Sequence, residues 1–320
     1  MNIKGIFGSF IPRFFFQRKL DSIFQEILSL DSRDLEAVRK RVNYYNKISS
    51  VFEEILKTCK DVEILGKLPF KKTSLAYDGY AISKYFSDDL MWIKRYGDIN
   101  YFLPEPAVCK DRPIGNKWED NQNNVLLKLD KNRHFIFLKD TQKFKDKKNR
   151  IIFRGACYQE LRKRFMDRHF LTKNCDAGDT ARNADKWKKA PVNKTIQIEN
   201  KYILSLEGNT FASNLIWAMS SNSLVIAPKM KNETWLMEGT LRPNEHFALL
   251  NDDFENLEEL IEYYNSHPNQ AQEIIDNAHS YLADFQDERK EFLIAILVLA
   301  KYLFFSNQVD LPKEIVEIFS

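Results

Sequence analysis

No stretch of this 320-residue chain reaches the eighteen or more apolar residues that a membrane-spanning helix needs. The nearest, Phe292 to Phe305, is interrupted by Lys301 and reads as a buried helix. Cysteine is scarce: Cys59, Cys109, Cys157 and Cys175 stand far apart with no C-x-x-C pair, which excludes a disulfide scaffold and leaves buried thiols in a reducing compartment. The five histidines are scattered, and no zinc-ligand spacing appears. Neither G-x-G-x-x-G nor a Walker loop is present, so a mononucleotide fold with a catalytic lysine is unsupported. The N-terminus lacks the compact apolar run and small-residue cleavage site of a secretory signal. A net charge of only +3 exerts no global pull toward nucleic acid.

What remains is an ordinary globular composition, long enough for one large core or two of about 150 residues each. From Leu20 to Lys60 apolar residues recur at helical steps (Leu20, Ile23, Phe24, Ile27, Leu28), and Asp31 or Ser32 can cap a helix through Leu35, Val38 and Val42. Residues Asp61 to Cys109, broken by Gly66, Pro69, Gly79, Gly97, Pro104 and Pro106, suit strands joined by loops. Arg133 to Leu138 and Ile151 to Phe153 read as buried strands, with the lysine-rich Lys139 to Arg150 between them as a junction. The second half alternates: strand Lys201–Leu206, helix Phe211–Met219 and strand Ser223–Ala227 have the spacing of a parallel crossover. A strand at Phe247–Leu250 follows, then helices over Leu257–Tyr264, capped at Asn256, over Asn269–Ala283 and over Glu291–Phe305.

Two places carry chemistry. Phe153-Arg154-Gly155-Ala156 with Arg162 puts a strand end, a helix start and two guanidiniums together, as phosphate binding requires, although a glycine turn with solvated arginines would look the same. Leu206-Glu207-Gly208-Asn209-Thr210 lies at a strand's carboxyl end before a helix. There Gly208 would let the backbone approach a ligand, and Asn209, Thr210 and Ser213 supply neutral hydrogen-bonding groups. From Lys131 to Lys173 fourteen Lys or Arg stand against four Asp or Glu, an excess that needs phosphates, acidic lipid or acidic segments elsewhere in the fold. At the N-terminus Phe14, Phe15 and Phe16 sit among the cations Arg13, Arg18 and Lys19, which fits contact with an anionic membrane as well as it fits packing on the chain's own domain.

The segment KYILSLEGNTFASNLIWAMSSNSLV, Lys201 to Val225, resembles the signature of glycosyltransferase family 90, which includes bacterial lipopolysaccharide-modifying, capsule-associated and protein O-glucosyl transferases. Phe153-Arg154-Gly155 with Arg162 is similar to that family's F/W-R-G segment, and Leu241-Arg242-Pro243 with His246 to its L-K-P…H-Y step. Pro104 to Ile114, Asn124 to Leu129 and Arg133-His134-Phe135 resemble its bacterial branch. The likeness runs from about Tyr96 to Ala283.

The resemblance implies a GT-B architecture of two Rossmann-like α/β domains facing across a cleft. It implies a UDP-sugar donor, inversion at the anomeric carbon, no further cofactor, and no metal, in line with the lack of a D-x-D. The segments so read are a helical N-terminal segment (1–60), an acceptor-side domain (61–145), a nucleotide-sugar-binding domain (146–285) and a C-terminal helical segment (286–320). Donor-binding candidates are Arg154, Gly155, Arg162, Gly208, Asn209, Thr210, Ser213 and Asn214. Asn214 stands where animal and fungal members carry the arginine of a Ser-x-Arg, so a charge is missing there. Asp98 is matched to the family's catalytic base, with Asp111, Asp140 and His134 as fallbacks. The acceptor is expected to be a lipopolysaccharide core or capsule glycan, with the protein in the cytosol, at a membrane surface. The alternative is a non-catalytic basic module that docks anionic lipid or glycolipid phosphates. RNA binding is the poorer reading, because Phe135, Phe137, Phe144 and Phe153 alternate as core residues and not as stacking platforms.

Overall fold

The computed structural model describes residues 12–67 and 73–320; Pro69 and the first eleven residues of the N-terminal segment lie outside them. The chain forms two compact units. One takes in the chain up to Asn132 and again from Asp287 to Ser320, and the other spans Arg133–Gln286.

In the first unit, strands β1 (Val62–Ile64), β2 (Met91–Arg95), β3 (Ala107–Cys109) and β5 (Asn124–Leu126) form a sheet in the order β1-β2-β3-β5. β1 is antiparallel to β2, while β2, β3 and β5 run parallel. A short strand β4 (Asp111–Pro113) lies between β3 and β5 in sequence. The amphipathic Leu20–Leu28 helix buries Ile23, Phe24 and Ile27. Asp31 caps the Ser32–Tyr45 helix as its sequence requires, accepting from Asp34 N at 2.8 Å. The Glu288–Phe305 helix is buried almost all round from Leu293 to Leu303, so the apolar run ending the sequence is the unit's core helix and not a surface element. Its Glu291 is clamped in the interior between Arg41 (2.5 Å) and Lys128 (2.6 Å), one carboxylate shared by two cations.

The second unit is a five-stranded parallel sheet, β11-β9-β8-β6-β7, built from β6 (Lys148–Gly155), β7 (Cys175–Asp179), β8 (Asn200–Leu204), β9 (Leu224–Ala227) and β11 (Ala248–Leu249), with a short β10 (Asn232–Thr234) preceding the last. Ile151, Phe153, Tyr202, Leu204, Leu224 and Ile226 fill one face beneath Phe165 and Met166 of the Glu160–His169 helix and the helices Leu257–Ser266 and Pro268–Ala283. The crossover read from Lys201 to Ala227 is present, with β8 and β9 parallel.

Three readings are corrected. Arg133 to Leu138 is no strand: Lys131–His134 is a single helical turn, and the following residues run outside any ladder, their apolar side chains packing without strand neighbours. The stretch taken as strands and loops after Asp61 contains a helix, Ser74–Ser83, capped by Thr73 accepting from Ala76 N at 3.3 Å. Gly79 inside it is no breaker: a Cβ there would collide with the Tyr96 hydroxyl, so glycine is required by close approach. Finally, the helix after β8 begins at Leu215, not Phe211. No described helix is long and apolar enough to cross a membrane.

Candidate donor-binding site

In the second unit the strand order makes the site. β6 and β8 lie side by side, but the chain leaves β6 toward β7 on one flank and β8 toward β9 on the other. The two connections therefore leave the sheet in opposite directions, and the loop that starts each lies at the switch point where open parallel sheets have their ligand crevice. Those loops are Gly155–Gln159 and 205–214, the two places singled out in the sequence. They meet.

Arg162 joins them. From the first turns of the Glu160–His169 helix its guanidinium donates to Ala156 O (2.9 Å) on one loop and to Leu206 O (2.8 Å) and Glu207 O (3.1 Å) on the other. Burial holds this guanidinium below the usual arginine range, with Cys157 and Asp179 acting in the opposite sense. A second tie, Gln159 Nε2 to Asn209 Oδ1 at 2.8 Å, spans the crevice rim. Gly155 is packed so closely that a Cβ would lie 2.9 Å from Phe153 Cζ and 3.3 Å from Arg162 Nη1, whereas a Cβ on Gly208 would reach Arg162 Nη2 at an ordinary 3.4 Å. Neither glycine has a positive φ, so space and not backbone conformation selects Gly155, whereas Gly208 has room for a methyl.

The other candidates fall into place around these loops. Thr210 is buried and Ser213 exposed in the irregular chain leading to Leu215. Asn214 turns inward, donating to Leu204 O (2.9 Å) and accepting from Ser205 Oγ (3.1 Å), so its amide fastens the end of β8. Arg154 is not brought to the Gly208 loop. Its guanidinium donates to Asp176 Oδ1 (2.8 Å), Asp176 O (2.6 Å) and Ala190 O (3.2 Å) along β7.

Two carboxylates that sequence reasoning passed over brace the crevice. Asp179, at the end of β7, accepts from Cys157 N (3.1 Å) and Ala181 N (2.8 Å), tying the loop after β6 to its neighbour. Glu207 accepts from Lys231 N (3.0 Å), Asn232 N (2.9 Å) and Asn232 Nδ2 (3.1 Å), and burial raises its pKa. The available signal was position: each is an acid at the carboxyl end of a strand. Burial, with Asp179 beside it, pushes the Cys157 thiol up to about 11, so it is un-ionised near neutrality.

Part of the lysine-rich stretch is paired within the second unit. Lys147 pairs with Asp140 (2.6 Å), Lys148 with Glu199 (2.6 Å), Arg150 with Asp176 (3.4 Å) and Arg168 with Glu255 (2.6 Å). Asp140 also accepts from Asn222 N at 2.8 Å and is buried, and His134 is buried edge-on against Phe211. In the first unit Asp98 follows β2 on the carboxyl side of that parallel sheet. It is roughly half exposed and accepts from Lys110 Nζ at 2.8 Å, while Lys110 also reaches the buried Asp111 at 2.5 Å.

Residues 123–319 match the model of glycosyl transferase family 90. The chain is also 38% identical over 272 residues to the O-glucosyltransferase LpsA of Dichelobacter nodosus, an alignment that covers 83% of this chain and 82% of that protein. With the family's segments placed at the carboxyl edge of a parallel sheet and more than half of the chain matched, this protein belongs to glycosyl transferase family 90.

Proposed function

We propose that this glycosyltransferase moves a hexose or pentose from a UDP-sugar to a hydroxyl of a lipopolysaccharide core or capsule glycan, with inversion, in a GT-B arrangement whose second unit holds the donor. The carrying observation is that the loops after β6 and β8 are held together by Arg162 at the switch point of the parallel sheet. The name of the Dichelobacter relative favours glucose among the hexoses.

In this reading the diphosphate lies over the Gly155 and Gly208 loops. Asn209 and Ser213 offer hydrogen bonds to it from the exposed side of the second loop, with Thr210 buried behind them, and the Arg162 charge sits beside the oxygen on which negative charge develops. Arg154 adds positive potential that Asp176 partly balances. Asp98 takes the proton of the acceptor hydroxyl while its oxygen attacks the anomeric carbon from the face opposite the diphosphate. The bond from that carbon to the diphosphate breaks, and UDP leaves. No metal or other cofactor takes part. A cytosolic location suits that donor, a soluble nucleotide sugar.

Nucleotide release tests the proposal. UDP formed only when acceptor glycan is present supports transfer, and donor or glycolipid binding without release supports the docking module instead. Asp98→Asn is expected to lower kcat at least about a hundredfold with donor KM kept. Full activity of that variant removes Asp98 from the mechanism.

A further inference from the structure

The first nineteen residues hold five phenylalanines and four cations, and the first acidic residue in the chain is Asp21. The described part of this segment shows how two of the aromatics are displayed. The short Phe14–Gln17 helix is fastened from one side. Arg13 is buried, donating to Leu65 O (2.8 Å), Ser83 O (2.9 Å) and Phe86 O (3.1 Å) and pairing with Asp88. Phe16 packs edge-on to Tyr85, and Gln17 donates to Phe86 O (3.1 Å) and Asp88 Oδ1 (2.9 Å). With those residues turned inward, Phe14 and Phe15 face outward, 49% and 57% exposed.

Cations border them. The Arg18 guanidinium lies 3.8 Å above the Phe14 ring, and Lys84 Nζ lies 3.6 Å above the Phe16 ring. Burial lowers the Lys84 ammonium below the usual lysine range, and the charges of Lys19 and Lys131 lower it further, so these like charges share one neighbourhood. Two exposed aromatic rings held out by a buried arginine, with Arg18 on one ring and Lys19 and Lys84 close by, match a surface where apolar groups meet anions. A bilayer with acidic headgroups offers both at once.

We propose that Phe14 and Phe15, with Arg18, Lys19 and Lys84, form a docking surface for an anionic lipid bilayer, the rings entering the headgroup region and the cations pairing with lipid phosphates. This surface is independent of the donor crevice.

The test uses the full chain and sedimentation with vesicles of phosphatidylglycerol and phosphatidylethanolamine in equal parts, against phosphatidylcholine alone. The wild type is expected to sediment with the acidic vesicles and to be released by salt. Phe14→Ser with Phe15→Ser is expected to weaken binding at least about tenfold, and Arg18→Gln with Lys19→Gln about thirtyfold. In each the melting temperature and the turnover of a water-soluble acceptor stay at wild-type values, since these side chains are exposed. Failure of the wild type to sediment, or undiminished binding by the serine pair, overturns the proposal. So does a wild-type dimer that the serine pair converts to monomer, because the patch is then a contact between copies. Loss of transfer activity with vesicle binding intact would count against the enzymatic reading alone.

Discussion

Replacing Arg162 by lysine separates two roles a cation can have in the crevice. Arg162 makes three hydrogen bonds with one planar group, to carbonyls on both loops. An ammonium keeps the charge but cannot reproduce the fork, and from a shorter stem it reaches one of the two loops. Bonds from a charged donor contribute roughly 1.5–3 kcal/mol each when the partner is left dry, but carbonyls freed at a part-buried rim regain water, so the ordinary net value of about 1 kcal/mol per bond applies. Losing the whole side chain in Arg162→Met should therefore cost about 3 kcal/mol, and Arg162→Lys about 2 kcal/mol. Loops no longer held in register must be ordered by the donor itself, so a similar amount returns as a roughly thirtyfold rise in donor KM. Urea unfolding of the three proteins, with steady-state kinetics at saturating acceptor, reads both quantities. An Arg162→Lys enzyme with wild-type stability and donor KM, beside a methionine variant impaired only in donor binding, would refute the reasoning: charge alone would then be what the site needs.

Gly155→Ala should lower stability by about 1–3 kcal/mol, because its methyl meets the buried Phe153 ring, while Gly208→Ala should cost under about 1 kcal/mol; thermal melts compare them directly. Asp140→Asn leaves the fully buried Lys147 without its counter-charge and should destabilise by about 3 kcal/mol in urea. Its kcat, measured well below the melting temperature, should be unchanged. Glu238, buried beneath Thr234, has its pKa raised to about 8 by burial from an ordinary 4.5. Folding thus favours its protonated form, and the stability it contributes is complete below about pH 4.5 and lost as pH rises through 8. Glu238→Gln should therefore gain on the wild type by about 3–4 kcal/mol between pH 5 and pH 8 in urea titrations. Dialysis against EDTA should leave transfer activity intact, and a loss restored by a divalent cation would contradict the metal-free proposal.

The second unit was the legible half, because β8, its crossover and β9 are short apolar runs separated by turn residues, and the pattern has one parallel solution. The two candidate loops could be picked out as well, since a glycine after a buried strand marks the carboxyl edge. What failed did so where local pattern and tertiary setting disagree. Arg133 to Leu138 looks like a strand because its last four side chains are apolar, yet no neighbouring strand offers a ladder there. Gly79 looks like a breaker because nothing local shows the Tyr96 hydroxyl that excludes a side chain. Arg154 and Arg162 read alike as phosphate ligands. Only the fold shows one committed to Asp176 and the other to the loops themselves. The counter-charges of the lysine-rich stretch include Asp176, Glu199 and Glu255, all further along the chain, beyond any sequence window.

The first unit is discontinuous: its innermost helix, Glu288–Phe305, is translated after the whole of the second unit. During synthesis the early helices and strands emerge with their apolar faces bare, and Arg41 and Lys128 wait for the one glutamate they share. The contiguous second unit can complete its sheet first, so the ribosome delivers a finished crevice while its companion still lacks a core. A stop codon shortly before Asp287 would therefore spare the sheet that carries the crevice and abolish the unit made earlier, an inversion of the usual rule that truncation harms what comes last.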